Sequence, residues 1–360
     1  MLDYEIFKAV VEQNFLRYLP EEYRDAEIKV YPVKKVNRTL DGLAVLPADG
    51  SRIFPTIYVN DMYEHYQACD NLEMVLRDAA GSYAKVQDNV RGSEPDLDTE
   101  HVKDNVIMCL INTEQNRELL EDAPNRPFHD LSVVYRWVVK RTPDAVGSVF
   151  ISNKIAEGIG MTEEKLFRCA VENTRRINPV SITCMGSMFG GIPEGITLPQ
   201  EVREEMERAK RTADSMWIIS NSSGINGAVS MLYEENLHQL AEKLGENLFI
   251  LPSSIHEVIA IPEEMAEKNL SNLIEMVQEV NMGSVELAER LSSSVYHYDR
   301  TARKVTLAAE SPEKRLDGKQ AEMPLIQEEK KDKIGAAYGR KSDNGGFRKG
   351  TGGIAGNHAG

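Results

Sequence analysis

The sequence predicts an α+β (mixed α/β) fold: two lobes of β-sheet with helices packed on one side, followed by a disordered C-terminal tail. Three observations carry this reading. Short apolar runs bounded by Pro, Gly, Asn or Asp recur along the chain, as at Val106–Asn112 and Leu248–Leu251, and such runs read as strands. Between them stand stretches of helical period, such as Leu237, Leu240, Ala241 and Leu244. From about Ser311 the composition turns charged and then glycine-rich, ending in GRKSDNGGFRKGTGGIAGNHAG. Too few packing residues remain there to offset the entropy of ordering a chain. The predicted boundaries are an N-terminal α+β lobe over 1–90, a C-terminal α/β lobe over 100–300, and the tail over 311–360.

Taken in order, Asp3–Leu19 reads as an amphipathic helix ended by Pro20, with Ile6, Val10, Phe15 and Leu19 on a broad face. Strands are predicted at Glu27–Val36, Gly42–Leu46 and Ile53–Val59, joined by turn residues such as Asn37, Asp41, Asp49 and Gly50. Val59–Val86 reads as a helix of several turns, or two helices broken near Asp70-Asn71. Gln87–Glu100 is polar and aperiodic, hence a linker or exposed loop.

The second lobe opens on Val106–Asn112, a buried-type strand, with Thr113 capping a short helix through Leu120. Leu131–Val139 is a further strand, and Thr162 caps a helix over Thr162–Asn173 whose Glu163-Glu164 suit the positive helix end. A Gly- and Met-rich loop at Met185–Ile196 precedes a charged helix at Glu201–Lys210. Met216–Ile219 and Ala228–Tyr233 read as two strands of a hairpin, joined by the Asn/Ser/Gly-rich stretch between them. A helix follows, stopped by Gly245 as a left-handed cap. Strands at Leu248–Leu251 and Val258–Ile261, helices at Met265–Glu279 and Val285–Leu291, and an apolar or edge segment at Val295–Tyr298 complete the lobe.

At 360 residues, with 41% hydrophobic and 28% charged content, the chain can bury a substantial core. Its net charge is −15; the tail holds ten Lys and Arg against seven Asp and Glu, so the body carries −15 − 3 = −18. This balance argues against a general nucleic-acid partner, and none is expected, since that role needs a basic footprint. No window reaches the roughly 18 apolar residues of a membrane helix, and no signal-peptide pattern opens the chain. Cys69, Cys109, Cys169 and Cys184 are widely spaced without a CxxC pair, as in free thiols of a reducing compartment. The expected location is cytoplasmic.

The most chemically suggestive stretch is Pro252-Ser253-Ser254-Ile255-His256-Glu257. His256-Glu257 lacks the second His of HExxH, because position 260 is Ala260. Ser254 and His256 supply nucleophile and base side-chain types, but triad members normally converge from separate segments and no GxSxG elbow is present. His129-Asp130 stands at the mouth of another strand; joined to His256-Glu257 it would supply enough side chains for a metal. The glycine loop matches neither GxGxxG nor GxxxxGK[ST], so no phosphate-binding cofactor is expected. Two functions stay open. The first is an interaction or regulatory protein without catalysis, bound to another protein. The alternative is a hydrolase or metal-dependent enzyme with its site near Ser254, His256 and Glu257.

The segments INTEQNRELLEDAPNRPFHDLSVVYRW, MWIISN…GAVSMLY, LFILPSSIHEVIAIPEE and VNMGSVELAERLSSSVYHYDR together resemble a family of uncharacterised bacterial proteins. It is known only as a domain of unknown function, from gut-associated Gram-positive anaerobes. The resemblance covers most of residues 1–300 and is strongest in LPSSIHEV, while the tail lies outside it. It implies a bacterial cytoplasmic origin and no reaction, cofactor or catalytic residue.

Overall fold

The computed structural model describes residues 1–46, 55–90, 99–142, 145–188, 199–266, 270–309 and 325–327. The fold is α+β. The chain divides into two compact units; described residues of the first fall within 1–102 and 137–150, those of the second within 103–136 and 151–349.

The first unit opens with helix α1 (Tyr4–Asn14), where Asp3 Oδ1 accepts the Ile6 N–H at 2.9 Å. The predicted helix tightens into a 3-10 turn at Phe15–Tyr18 rather than continuing to Leu19. Strands β1 (Glu27–Lys35), β2 (Arg38–Leu46) and β3 (Thr56–Tyr58) form an antiparallel sheet in that order. Helices α2 (Val59–Cys69) and α3 (Leu72–Val90) follow, broken where Asp70 takes a left-handed φ of 47°. Alternation along β2 sends Leu43 and Val45 to one face. There they join Phe7 and Val11 of α1, Tyr66 of α2, and Leu76 and Tyr83 of α3 in one buried cluster. Helix α3 runs through Val90, and α4 (Thr99–Asn105) begins within the stretch expected to be linker; residues 91–98 lie outside the described ones.

Strand β4 (Val106–Asn112) coincides with its predicted limits. Thr113 does not cap the helix after it. Its hydroxyl pairs with Ser132 Oγ at 2.8 Å, and α5 (Arg117–Glu121) starts after Asn116 instead. Strands β5 (Asn125–Phe128), β6 (Leu131–Thr142) and β7 (Ala145–Phe150) add to β4 in a sheet of order β4-β6-β5, with β7 paired to β6. Helices α6 (Asn153–Gly158) and α7 (Glu163–Ile177) follow, and Thr162 Oγ1 accepts the Lys165 N–H at 3.4 Å at the predicted cap.

The largest sheet is built from β8 (Val180–Cys184), β9 (Trp217–Asn221), β10 (Leu248–Leu251), β11 (Val258–Pro262), β12 (Val295–Asp299) and β13 (Lys304–Ala309). Its order is β13-β12-β10-β11-β9-β8, with antiparallel pairing throughout. Helix α8 (Gln200–Ala213) precedes β9, α9 (Glu234–Leu244) leads to β10, and α10 (Leu270–Gly283) packs on one face over Phe249, Leu251, Ile261 and Val295. Leu248 and Ile250 point the other way and are also fully buried. Gly245 holds φ 80° and donates its N–H to Ala241 O at 2.8 Å, the predicted helix stop.

Two further predicted elements differ. Gly227–Leu232 is a buried 3-10 helix, not the second strand of a hairpin, because both sides of β9 are already taken by β11 and β8. Within Val285–Leu291 only Leu287–Glu289 is helical, as a 3-10 turn, because the residues beyond it pair in extended form with 252–255. The predicted disordered tail lies outside the described residues except for Leu325–Gln327, where Ile326 forms a parallel bridge with Tyr233.

Candidate functional site

Pro252, which has no N–H to donate, ends β10. The following residues find their partners in the segment leading to β12. The Ile255 N–H donates to Glu289 O at 2.8 Å, Leu291 N–H to Ser253 O at 3.0 Å, and Ser292 N–H to Pro252 O at 2.9 Å, with a bridge between Ser254 and Arg290. The sequence stretches LPSSIHEV and LSSSVYHYDR are therefore neighbours in space.

His256 is fastened through both its backbone and its ring. Its N–H donates to Ser254 Oγ at 3.0 Å, and its carbonyl accepts from Ser220 Oγ at 2.7 Å. Ring Nδ1 accepts the Asn226 N–H at 3.2 Å, and Asn226 presents that N–H from a left-handed φ of 52°. With Nδ1 accepting, the ring proton belongs on Nε2, which lies 3.4 Å from Glu289 Oε1. Gly227 permits this closeness, since a Cβ there would overlap Ser220 Oγ, the His256 carbonyl and, at 2.8 Å, the Asn221 nitrogen.

Ser254 is 5% exposed, and its hydroxyl meets the backbone of His256, not the imidazole. Glu257 is half-buried. Burial pushes its carboxyl above the usual range; His256 opposes that shift and the charge of Glu289 adds to it.

His129 and Asp130 form the two-residue turn between β5 and β6, whose strands close on the Phe128–Leu131 pair. His129 takes a left-handed φ of 53°, and its ring lies 4.7 Å from that of Phe128 and 5.5 Å from that of Tyr296. Asp130 accepts at Oδ2 from Ser292 Oγ at 2.5 Å and Ser294 Oγ at 3.1 Å, and at Oδ1 from the Tyr296 hydroxyl. Its backbone carbonyl accepts the Thr113 N–H at 3.0 Å. The carboxylate thus receives three hydroxyl donors, a charge-assisted arrangement well suited to holding a turn against a strand.

The segment 289–296 is the common spine: Glu289 meets His256, while Ser292, Ser294 and Tyr296 meet Asp130. The pairs His129-Asp130 and His256-Glu257 use separate partners along it. Among the described residues no three His, Cys, Asp or Glu side chains are grouped to hold a metal ion. Sequence reasoning missed Glu289, Asn226, Ser292, Ser294 and Tyr296. A signal for three of them was present, because residues two apart on an extended segment share a face. Ser293 points the other way, and its hydroxyl accepts from Asn281 Nδ2 at 3.0 Å.

The fold and site define an α+β protein in which an aspartate bound by three hydroxyls and a backbone-anchored histidine fasten loops onto one segment. The chain belongs to DUF5688, a family of unknown function whose model matches residues 4–300. No curated protein and no solved structure matches it. Among the described residues no helix is long and apolar enough to cross a membrane.

Proposed function

We propose that this is a cytoplasmic bacterial interaction or regulatory protein that works without catalysis, its partner being another protein. The observation that carries the reading is the bonding of His256 and Ser254. Nδ1 of the imidazole is engaged by the Asn226 N–H, and the Ser254 hydroxyl is engaged by a backbone N–H. A nucleophile activated by a base instead needs a hydrogen bond from hydroxyl to imidazole. The bonds of Asp130 support the same reading, since both of its oxygens already accept from hydroxyls.

One observation favours the alternative, a hydrolase or metal-dependent enzyme near Ser254, His256 and Glu257. Glu257 is a half-buried carboxyl pushed upward beside His256 and Glu289, and perturbed carboxyls concentrate at functional sites. Thermal melts of the wild type and His256→Ala, with and without zinc or manganese, separate the two. The structural role predicts a less stable variant, by about 1–3 kcal/mol for the partner left unpaired, and no metal effect on the wild type. A variant as stable as the wild type, together with a metal that raises only the wild-type melting temperature, overturns the proposal.

A further inference from the structure

Helix α9 starts without a side-chain cap: Tyr233 at its N-cap makes no such bond. The first N–H groups of a helix have no partner inside it and take one from elsewhere. Here the partner comes from far along the chain. The Glu234 N–H donates to Ile326 O at 3.2 Å, and the Ile326 N–H donates to Leu232 O at 2.9 Å. These two bonds flank Tyr233 and make the parallel bridge between Tyr233 and Ile326. Leu325 and Ile326 are each only 8% exposed, so two aliphatic side chains are covered as well as two backbone groups satisfied.

The receiving edge is anchored through the Glu234 side chain. Glu234 is 2% exposed and its side chain is closed by Arg303, whose Nε and Nη2 lie 2.8 and 2.6 Å from its two oxygens, and by the Tyr298 hydroxyl at 2.6 Å. Burial alone would raise the Glu234 carboxyl; Arg303 and Tyr298 more than offset this and hold it below the usual range. Glu234 is therefore anchored by Arg303 and Tyr298 through its side chain and by Ile326 through its backbone N–H. In sequence, Leu325-Ile326 follows Met323-Pro324 and is flanked by Glu322, Glu328, Glu329, Lys330 and Lys331. It is a short apolar motif in a charged context.

We propose that the Leu232–Glu234 backbone is a peptide-docking edge whose ligand is the chain's own Leu325–Gln327 segment, bound in cis and reversibly. Recognition is by β-strand addition: main-chain bonds supply the pairing and two consecutive aliphatic side chains supply selectivity. Tethering raises the local concentration of such a motif to roughly millimolar, so a pairing with a free-peptide Kd of about 0.1 mM is mostly closed in cis. This surface is distinct from the His256 segment and does not depend on how that segment is read.

Hydrogen exchange on the full-length chain tests the proposal, comparing wild type with Ile326→Asp and Ile326→Val. The expected result is protection of the Ile326 and Glu234 amides in the wild type and in Ile326→Val. In Ile326→Asp the Glu234 amide should exchange at least tenfold faster, while Ile250 in the central strand stays protected. Equal Glu234 exchange in wild type and Ile326→Asp overturns the proposal. So does a wild-type Ile326 amide that exchanges like a free peptide, a measurement that needs no variant to fold. A labelled peptide of residues 320–331 provides the second arm. It should bind Ile326→Asp at least tenfold more tightly than the wild type, whose own segment competes; equal binding to both places the peptide elsewhere and overturns the docking edge.

Discussion

Tyr296 donates its hydroxyl hydrogen to Asp130, a residue 166 positions earlier in the chain. Burial drives the Tyr296 phenol well above its ordinary value of 10.0, and the negative charge of Asp130 and the hydrogen bond drive it further. The protonated, donating form of the phenol is thereby favoured. Asp130 gathers this hydroxyl and those of Ser292 and Ser294, which ties the β5–β6 turn to the segment 292–296 leading into β12.

Asp130→Ala is expected to cost roughly 3 kcal/mol or more in chemical denaturation, since each buried group left unpaired costs about 1–3 kcal/mol. Tyr296→Phe removes one bond to a charged acceptor and should cost about 1.5–3 kcal/mol. A double-mutant cycle should show the two changes to be coupled. If Tyr296→Phe proves as costly as Asp130→Ala, the carboxylate is not the hub of the cluster.

Gly227→Ala should destabilise the second unit. The added methyl meets the His256 carbonyl and the Asn221 nitrogen, both backbone atoms that cannot turn aside. Overpacking of this kind costs about 1–3 kcal/mol. The Asn226–His256 bond should loosen with it, because Asn226 adjoins the displaced residue. A neutral change in melting temperature, with the His256 ring resonances unmoved, would mean that the loop has room to spare.

Glu257 provides a pH test with a definite sign. Burial penalises its charged form, so the folded state holds the proton to higher pH than the unfolded chain does. The resulting loss of stability is absent at low pH, sets in as pH rises above the ordinary carboxylate range, and is complete above the raised folded value. Glu257→Gln is uncharged in both states. It should therefore be more stable than the wild type near about pH 7, with the advantage vanishing below about pH 4. An advantage independent of pH would mean that packing rather than charge distinguishes the two side chains.

Local pattern was enough wherever the physics is local. The break at Asp70, the stop at Gly245, the Thr162 cap and the limits of β4 and β10 each depend on a few adjacent residues, and each was legible. The α+β class followed from the same signals. The partner of β9 was not legible, because Ala228–Tyr233 has the apolarity of a strand and only the arrival of β8 and β11 leaves it no place in the sheet.

The candidate site divides in the same way. His129, Asp130, Ser254, His256 and Glu257 stood out because they are polar residues at the ends of apolar runs. Their partners did not. Glu289 reaches His256 and Tyr296 reaches Asp130 only after β10, β11 and β12 are laid side by side. The docking of Ile326 on Tyr233 is likewise invisible in composition, since a tail poor in packing residues still carries one apolar pair able to complete a helix start. Helix caps and turns are set by neighbours along the chain; hydrogen-bond acceptors are assigned by neighbours in space, and chain order does not encode which distant segment arrives.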